Sequence, residues 1–159
     1  MHTGPVLLFV AMVTLALGCT GAPTKREPTR NAIHSITNMA QTTLVHIKTL
    51  RTKLPVAPQI EVSTPSVKGL TSISHELGEL DEELRRLSVE MLSQIQADVS
   101  SLGGRVRSLA LNLDCPVQSG PRGEAADHVF PDSHLYVSLT KVQQYLEKVL
   151  LNKDKLKIC

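Results

Sequence analysis

Residues 70–113, LTSISHELGELDEELRRLSVEMLSQIQADVSSLGGRVRSLALNL, contain two apolar series that decide the fold. Within each series the apolar residues recur at alternating steps of three and four, which places them along one face of an α-helix. The members are Leu70, Ile73, Leu77, Leu80, Leu84, Leu87 and Met91, and then Leu92, Ile95, Val99, Leu102, Val106, Leu109 and Leu113. Because the second series is displaced by one residue from the first, we predict two helices joined by a turn near residues 88–90.

A single long helix is the alternative for this stretch, because neither Gly nor Pro marks the predicted turn and a stutter would also shift the apolar face. Such a helix would leave its whole apolar face without a partner, so we favour the broken form. Gly103 and Gly104 lie inside the third predicted helix and cost about 1 kcal/mol each relative to Ala. A close helix crossing or a binding surface would explain this pair of glycines.

Amphipathic segments on both sides of the central stretch supply partners for its apolar faces. The first helix is predicted from Asn31, with Thr29 as its N-cap. Its apolar face comprises Ile33, Ile36, Ala40, Leu44, Ile47, Leu50 and Leu54, with Thr43 as the weakest point. The fourth helix is predicted to follow a cap at Asp132 or Ser133. Its apolar face comprises Leu135, Leu139, Val142, Leu146, Val149 and Leu150, with Leu156 beyond.

Three connections join the four predicted helices, and their lengths are long, short and long. The long ones, at 54–68 and 116–131, are rich in Pro and other turn residues. A short link forces the second and third helices to be antiparallel, whereas a long link can run the length of a bundle and join parallel neighbours. An up-down-up-down bundle would need no long links. We therefore predict an all-α, up-up-down-down four-helix bundle of the helical cytokine type.

The first residues of the chain have the features of a secretory signal peptide. Residues 6–17 form an apolar run, broken by one Thr, that is too short to span a bilayer. Small residues at Cys19 and Gly21 favour cleavage after Gly21. Cleavage after Gly18, which would leave Cys19 first as in a bacterial lipoprotein, is the alternative. The predicted segments are a signal peptide at 1–21 and a secreted, extracellular domain at 22–159.

Charge and cysteine content limit the partners of this domain. The chain has 17 basic and 15 acidic residues and a formal net charge of +2, so no strong attraction to nucleic acid or to a membrane surface is expected. Beyond the predicted cleavage site the chain retains Cys115 and Cys159, an even pair in an oxidising compartment. We predict that they form a disulfide with each other, and two free thiols are the alternative.

The residues around His75 come nearest to a catalytic motif. They read His-Glu-Leu-Gly-Glu, but the helical zinc-protease motif needs a second His where Glu79 stands. We interpret His75, Glu76 and Glu79 as surface residues of the second helix. Because the sequence contains no phosphate-binding loop and no nucleophile elbow, we predict no enzymatic activity, no metal and no cofactor.

Several short segments resemble leptins, particularly the leptins of fishes. They are Ala22-Pro23 at the predicted mature start, Thr42-Thr43-Leu44-Val45-His46-Ile47 in the first helix, Gly69-Leu70 with Ile73, and Gln94-Ile95 with Asp98 in the third helix. Cys115 and Cys159 complete the resemblance, which implies a disulfide between Cys159 and the end of the third helix.

The resemblance implies a monomeric secreted hormone that binds a class I cytokine receptor of the leptin-receptor type. Such a hormone triggers kinase-linked signalling in energy balance and feeding, and it binds through two sites. Carrying over matching positions assigns Thr42 and Gln94 to a first site on the first and third helices. Ser133, with Leu70 and Ile73 nearby, is assigned to a second site. Each has a plainer explanation, because Leu70 and Ile73 fit the core face and Ser133 can cap a helix.

A protein of another class fits some of the same features. A secreted, apolipoprotein-like lipid-binding protein also consists of amphipathic helices, although its apolar faces are usually wider and it has less need of a closing disulfide. The two classes differ in whether the purified protein stays a compact monomer or joins lipid particles.

Overall fold

The computed structural model describes residues 26–55, 59–117 and 131–159, so the predicted signal peptide and most of the second long connection lie outside the described residues. The helices are α1, Arg26–Lys53; α2, Leu70–Leu87; α3, Ser93–Asn112; and α4, Pro131–Leu151. Short 3₁₀ turns at Glu90–Leu92 and Lys153–Lys157 follow α2 and α4, and these described ranges contain no strand. The chain divides into two compact units, residues 1–30 and 31–159, and the contacts given below belong to the second.

α1 begins earlier than the sequence predicted. It starts at Arg26 rather than at Asn31, so Thr29 lies inside the helix instead of at its N-cap. Pro28 is compatible with this start, because the N–H groups of a first helical turn have no intrahelical acceptor and a Pro there removes no hydrogen bond. The predicted start at Asn31 and the predicted N-cap at Thr29 are therefore wrong.

The predicted break between α2 and α3 is confirmed. Ser88 ends α2 in the left-handed conformation, with φ 48° and ψ 34°, and Val89 is extended. The Ser88 hydroxyl donates a hydrogen bond of 2.9 Å to the carbonyl of Arg85, and the amide of Leu92 donates one of 3.0 Å to the carbonyl of Val89. Ser88 thus provides the reversal for which a glycine is the usual residue.

Polar contacts between helices define the topology. Between α1 and α3 the pairs are Ser35 with Arg105 and His46 with Asp98, and between α2 and α3 the pair is Asp81 with Gln96. Between α1 and α4 they are Arg51 with Gln143 and, just after α1, Pro55 with Tyr136. Between α2 and α4 they are Glu83 with Lys141 and, just beyond α4, Ile158 with Leu70. Where two pairs join the same elements, residue numbers rise along one helix as they fall along the other. α1 and α2 therefore run in one direction and α3 and α4 in the opposite one, which confirms the up-up-down-down bundle.

The predicted apolar faces meet in one core. Its fully buried members include Ile36, Ala40, Ile47, Leu70, Ile73, Leu77, Leu80, Ile95, Val99, Leu102, Val106, Leu139, Val142 and Leu146. Thr43 is also buried, and its hydroxyl donates to the carbonyl of Met39 at 2.8 Å. Met91 is an exception, since it lies in the turn after α2 and is 48% exposed. Because the helices bury these faces against one another, the residues that the structure describes leave no continuous apolar helix face for lipid.

The start of α2 is fixed by residues from beyond α4. The amides of Leu70 and Thr71 donate hydrogen bonds to the carbonyls of Ile158 and Cys159, at 2.8 and 3.3 Å. These bonds satisfy two of the amides that a helix start leaves without a partner. A Cβ atom on Gly69 would collide with the backbone carbonyl of Cys159. Glycine is therefore required at position 69 by this close approach.

Gly103 and Gly104 do not mark a close helix crossing. A Cβ at Gly103 would lie 3.6 Å from the Cβ of Leu77, which is an ordinary contact, and a Cβ at Gly104 would meet nothing within 4 Å. Alanine fits at both positions, so the predicted crossing is wrong. The other explanation, a binding surface, stays a prediction.

The predicted cysteine pair crosslinks one end of the bundle. Cys115 and Cys159 form a disulfide, and α3 stops just before Cys115 because Asp114 adopts the left-handed conformation, with φ 57°. The amide of Cys115 then donates back to the carbonyl of Ala110 at 2.8 Å. The end of α3 thus directs Cys115 toward Cys159, which follows α4.

Candidate functional site: two helix surfaces

One surface lies along α1 and α3, and we call it the α1–α3 face. It contains Thr42, Val45, His46, Gln94 and Asp98. Thr42 and Gln94 are both exposed, as a contact residue for a partner protein must be. Val45, one turn from Thr42 on the same helix, is 59% exposed. An exposed branched apolar side chain among polar ones is a composition that suits the centre of a protein interface.

A hydrogen-bond network fixes the polar part of the α1–α3 face. The Nδ1 atom of His46 lies 2.5 Å from one carboxylate oxygen of Asp98, and the side-chain amide of Gln94 donates to the other oxygen at 2.9 Å. Asp98 is only 7% exposed. Because the carboxylate is held from both sides, the network ties α1 to α3 and orients Gln94 at the surface.

A shallow groove continues the α1–α3 face along α1. It is lined by Asn31, His34, Ser35, Asn38, Met39, Thr42 and Arg105. The guanidinium of Arg105 donates to the hydroxyl of Ser35 across the groove, which gives a second polar tie between the two helices. The predicted first-site residues are thus brought to one rigid, mostly polar surface.

The three residues predicted for the second site lie in different parts of the bundle. Ser133 is half-buried in the first turn of α4, which begins at Pro131. The helix therefore does not start after Ser133, as a cap there would require, and Pro is well suited to a first helical turn. Leu70 and Ile73 are both 0% exposed.

Leu70 and Ile73 are also far from Ser133 along the bundle. Leu70 is bonded to Ile158, beyond the end of α4, whereas Ser133 precedes the contact of Lys141 with Glu83. Thirteen residues of α2 separate Leu70 from Glu83, or about 20 Å at the helical rise. Leu70 and Ile73 therefore lie in the core, toward the other end of the bundle from Ser133.

A polar seam joins α2 to α4, and the sequence patterns did not reveal it. One Glu83 carboxylate oxygen accepts hydrogen bonds from the Ser138 hydroxyl at 2.6 Å and from the Lys141 ammonium at 3.1 Å. Glu76 lies about two helical turns before Glu83 on α2. It is half-buried rather than on the surface as predicted, and burial raises the pKa of its carboxyl above the ordinary value of 4.5. Burial and the nearby Glu76 charge also raise the pKa of the buried Tyr145.

Replacing Glu76 with Gln should stabilise the bundle at neutral pH. Because the pKa of this carboxyl is raised in the folded state, folding disfavours its charge, so its cost is fully present above the folded pKa and disappears below about 4.5. We expect Glu76→Gln to raise the melting temperature at pH 7 and to change it little at pH 4. Melting curves at both values test this, with the exposed Glu61→Gln as control. An equal shift at both pH values would contradict the explanation.

Three findings concern metal binding, ion pairs and membrane crossing among the described residues. Among them, no group of three or more His, Cys, Asp or Glu side chains is placed to hold a metal ion. The acidic and basic residues of the outer face of α2 instead form the two ion pairs expected from their spacing, Asp81 with Arg85 at 3.3 Å and Glu82 with Arg86 at 3.7 Å. Within the described ranges, no helix is both long and apolar enough to cross a bilayer.

Comparison with known proteins agrees with this architecture. The chain is 46% identical to leptin-B of Oryzias latipes over 159 residues, which cover the whole of both chains. No protein-family model matches the chain.

Proposed function

This chain belongs to the leptin family, and on that premise we propose that it is a secreted hormone that binds a class I cytokine receptor and starts kinase-linked signalling, with a role in energy balance and feeding. It acts by presenting surfaces and catalyses no reaction. The observation that carries this proposal is the α1–α3 face, where the exposed Thr42, Val45 and Gln94 are held on two helices tied together by buried Asp98.

The rigidity of this face favours receptor binding. A surface whose side chains are already ordered loses less conformational entropy on association than a mobile one. The Asp98 network fixes Gln94, and the backbone of α1 fixes Thr42 and Val45 at helical spacing. The face combines one apolar residue with polar groups around it, which is the arrangement of an interface centre and its rim.

We further propose that the first turn of α4, at Ser133, contributes a second receptor contact. Glu83 of α2 accepts hydrogen bonds from Ser138 and Lys141 of α4. These bonds hold the first turns of α4 against α2. Leu70 and Ile73 are not proposed as contacts, because both are fully buried. They contribute to both sites only by maintaining the bundle.

The experiment that tests the first site is the double change Thr42→Lys with Gln94→Lys. Both positions are exposed, and a lysine at position 94 can still pair with Asp98, so helicity and melting temperature should stay almost unchanged. Binding to a leptin-receptor-type ectodomain should fall by about a hundredfold or more, because the new charge at position 42 would be buried at the interface without a partner, which costs several kcal/mol. Surface plasmon resonance and circular dichroism measure the two effects.

The matched control adds the same two charges elsewhere. Ser63 and Ser66 are exposed in the connection before α2, and Ser63→Lys with Ser66→Lys should leave receptor binding at the level of the unmodified protein. If the Thr42 and Gln94 variant unfolds, the assigned helical face is wrong. If it binds and signals normally, the α1–α3 face is not the receptor site.

A lipid-binding role is not favoured. The lipid carrier needs continuous apolar helix faces that can turn toward a lipid surface, whereas here those faces are packed into a core that a disulfide crosslinks. We propose that the hormone is a compact monomer, and sedimentation in the presence and absence of lipid vesicles distinguishes the two classes.

A further inference from the structure

A short basic turn follows α4 at the disulfide end of the bundle, and we call residues Lys153–Lys157 the lysine turn. Lys153 and Lys157 are exposed and Lys155 is half-buried, while Leu156 between them is only 1% exposed and anchors the turn in the core. At the rise of a 3₁₀ helix, Lys153 and Lys157 are about 8 Å apart along the axis. The turn therefore presents several ammonium groups within about one nanometre.

A fourth lysine lies on the same end of the bundle. Lys68 is exposed and immediately precedes Gly69, whose backbone contacts that of Cys159. Among the described residues, none of these four lysines forms an ion pair with a carboxylate. The acidic side chains in the adjoining stretches are Asp154 and Asp114, so lysines outnumber acidic side chains by four to two here, in a chain whose formal net charge is only +2.

The lysine turn is also held rigidly. Its last residue is followed by Ile158 and Cys159, whose carbonyls accept hydrogen bonds from the start of α2, and Cys159 is linked to Cys115. Ordered charges lose less conformational entropy on binding than the same charges on a mobile tail. This makes the turn a prepared surface for a partner of opposite charge.

We propose that the lysine turn binds sulfated polysaccharides of the heparin type. Closely spaced lysines without acidic partners suit a polymer with repeated sulfate groups, to which short lysine-rich segments bind by charge. α3 has 20 residues from Ser93 to Asn112, or about 30 Å, so Gln94 of the α1–α3 face and the lysine turn lie toward opposite ends of this helix. One molecule can therefore hold a receptor and a polysaccharide together.

The test compares two variants with equal loss of charge. Lys153→Gln with Lys157→Gln removes the two exposed lysines of the turn, and Lys48→Gln with Lys53→Gln removes two exposed lysines of α1. We expect the unmodified protein to be retained on immobilised heparin at physiological salt. The turn variant should bind at least about tenfold more weakly, with a shallower dependence on salt, because fewer counterions are released. The α1 variant should bind like the unmodified protein.

Three results would overturn the proposal. The unmodified protein could pass through heparin at physiological salt, or the two variants could lose binding equally, which would indicate net charge instead of a site. The protein could also bind vesicles of phosphatidylserine and phosphatidylcholine but not heparin, which would assign the turn, with the exposed Leu151 beside it, to a membrane. Receptor binding by the turn variant should be unchanged, so a failure here is distinguishable from a failure of the receptor proposal.

Discussion

Removal of the Cys115–Cys159 disulfide is expected to destabilise the protein by about 4 kcal/mol. The bond closes a loop of 44 residues, and in the chain-entropy model a crosslink over that separation restricts the unfolded chain by about this amount. It also holds Ile158 and Cys159 against the first amides of α2. Without the bond, those hydrogen bonds must be kept by a freely mobile segment, so the start of α2 should become labile as well.

Denaturant unfolding with and without reductant measures the global effect. The variant with Cys115→Ala and Cys159→Ala should unfold at lower denaturant than the oxidised protein and should not respond to reductant. Amide hydrogen exchange at Leu70 and Thr71 measures the local effect, because these two amides bond to Ile158 and Cys159. Titration of two free thiols per native molecule, or equal stability of the oxidised and reduced forms, would contradict this prediction.

Leu80→Ala is expected to cost about 2 to 5 kcal/mol of folding stability. Leu80 is 2% exposed in the middle of α2, so truncation removes buried apolar area and leaves a cavity that the packed helices cannot fully close. Receptor binding should weaken only to the extent that the fold is lost. This is the opposite of the result expected at the exposed Thr42 and Gln94.

Met91→Ala provides the matched control for Leu80. Both residues belong to the same seven-membered apolar series of the sequence, but Met91 is 48% exposed in the turn after α2. Its truncation should change stability by less than about 0.5 kcal/mol, as most surface changes do. If denaturant unfolding shows a similar loss of stability for both variants, the assignment of Leu80 to the core and of Met91 to the surface is wrong.

Periodicity and connection length were enough to predict the bundle. The step of one residue between the two central apolar series located the turn, although the residue that makes it could not be identified. Ser88 adopts a left-handed conformation that serine seldom adopts and keeps it through local hydrogen bonds. Nothing in residue type marks such a position. For the same reason the left-handed Asp114 at the end of α3 gave no signal.

The polar contacts of the surface were harder to predict. Gln94 and Asp98 are four apart on one helix, and that spacing alone could have paired them. His46 is 52 residues from Asp98, so only the folded bundle brings them together. Glu83 is likewise far along the chain from its partners Ser138 and Lys141, at 55 and 58 residues. Leu70 and Ile73 show the opposite case. Helical periodicity alone places them on the core face, and both are buried in the core.

The capping of α2 has a consequence for the order of events during biosynthesis. A ribosome makes the chain from its amino end, so the amides of Leu70 and Thr71 are synthesised long before Ile158 and Cys159, which bond to them. At ordinary translation rates the interval is on the order of ten seconds. Once Cys115 itself has been made, its partner Cys159 is still 44 residues away along the chain. The Cys115–Cys159 bond therefore cannot form until all of α4 has been made, and a chain stalled before that point holds Cys115 without its partner and α2 without its capping carbonyls.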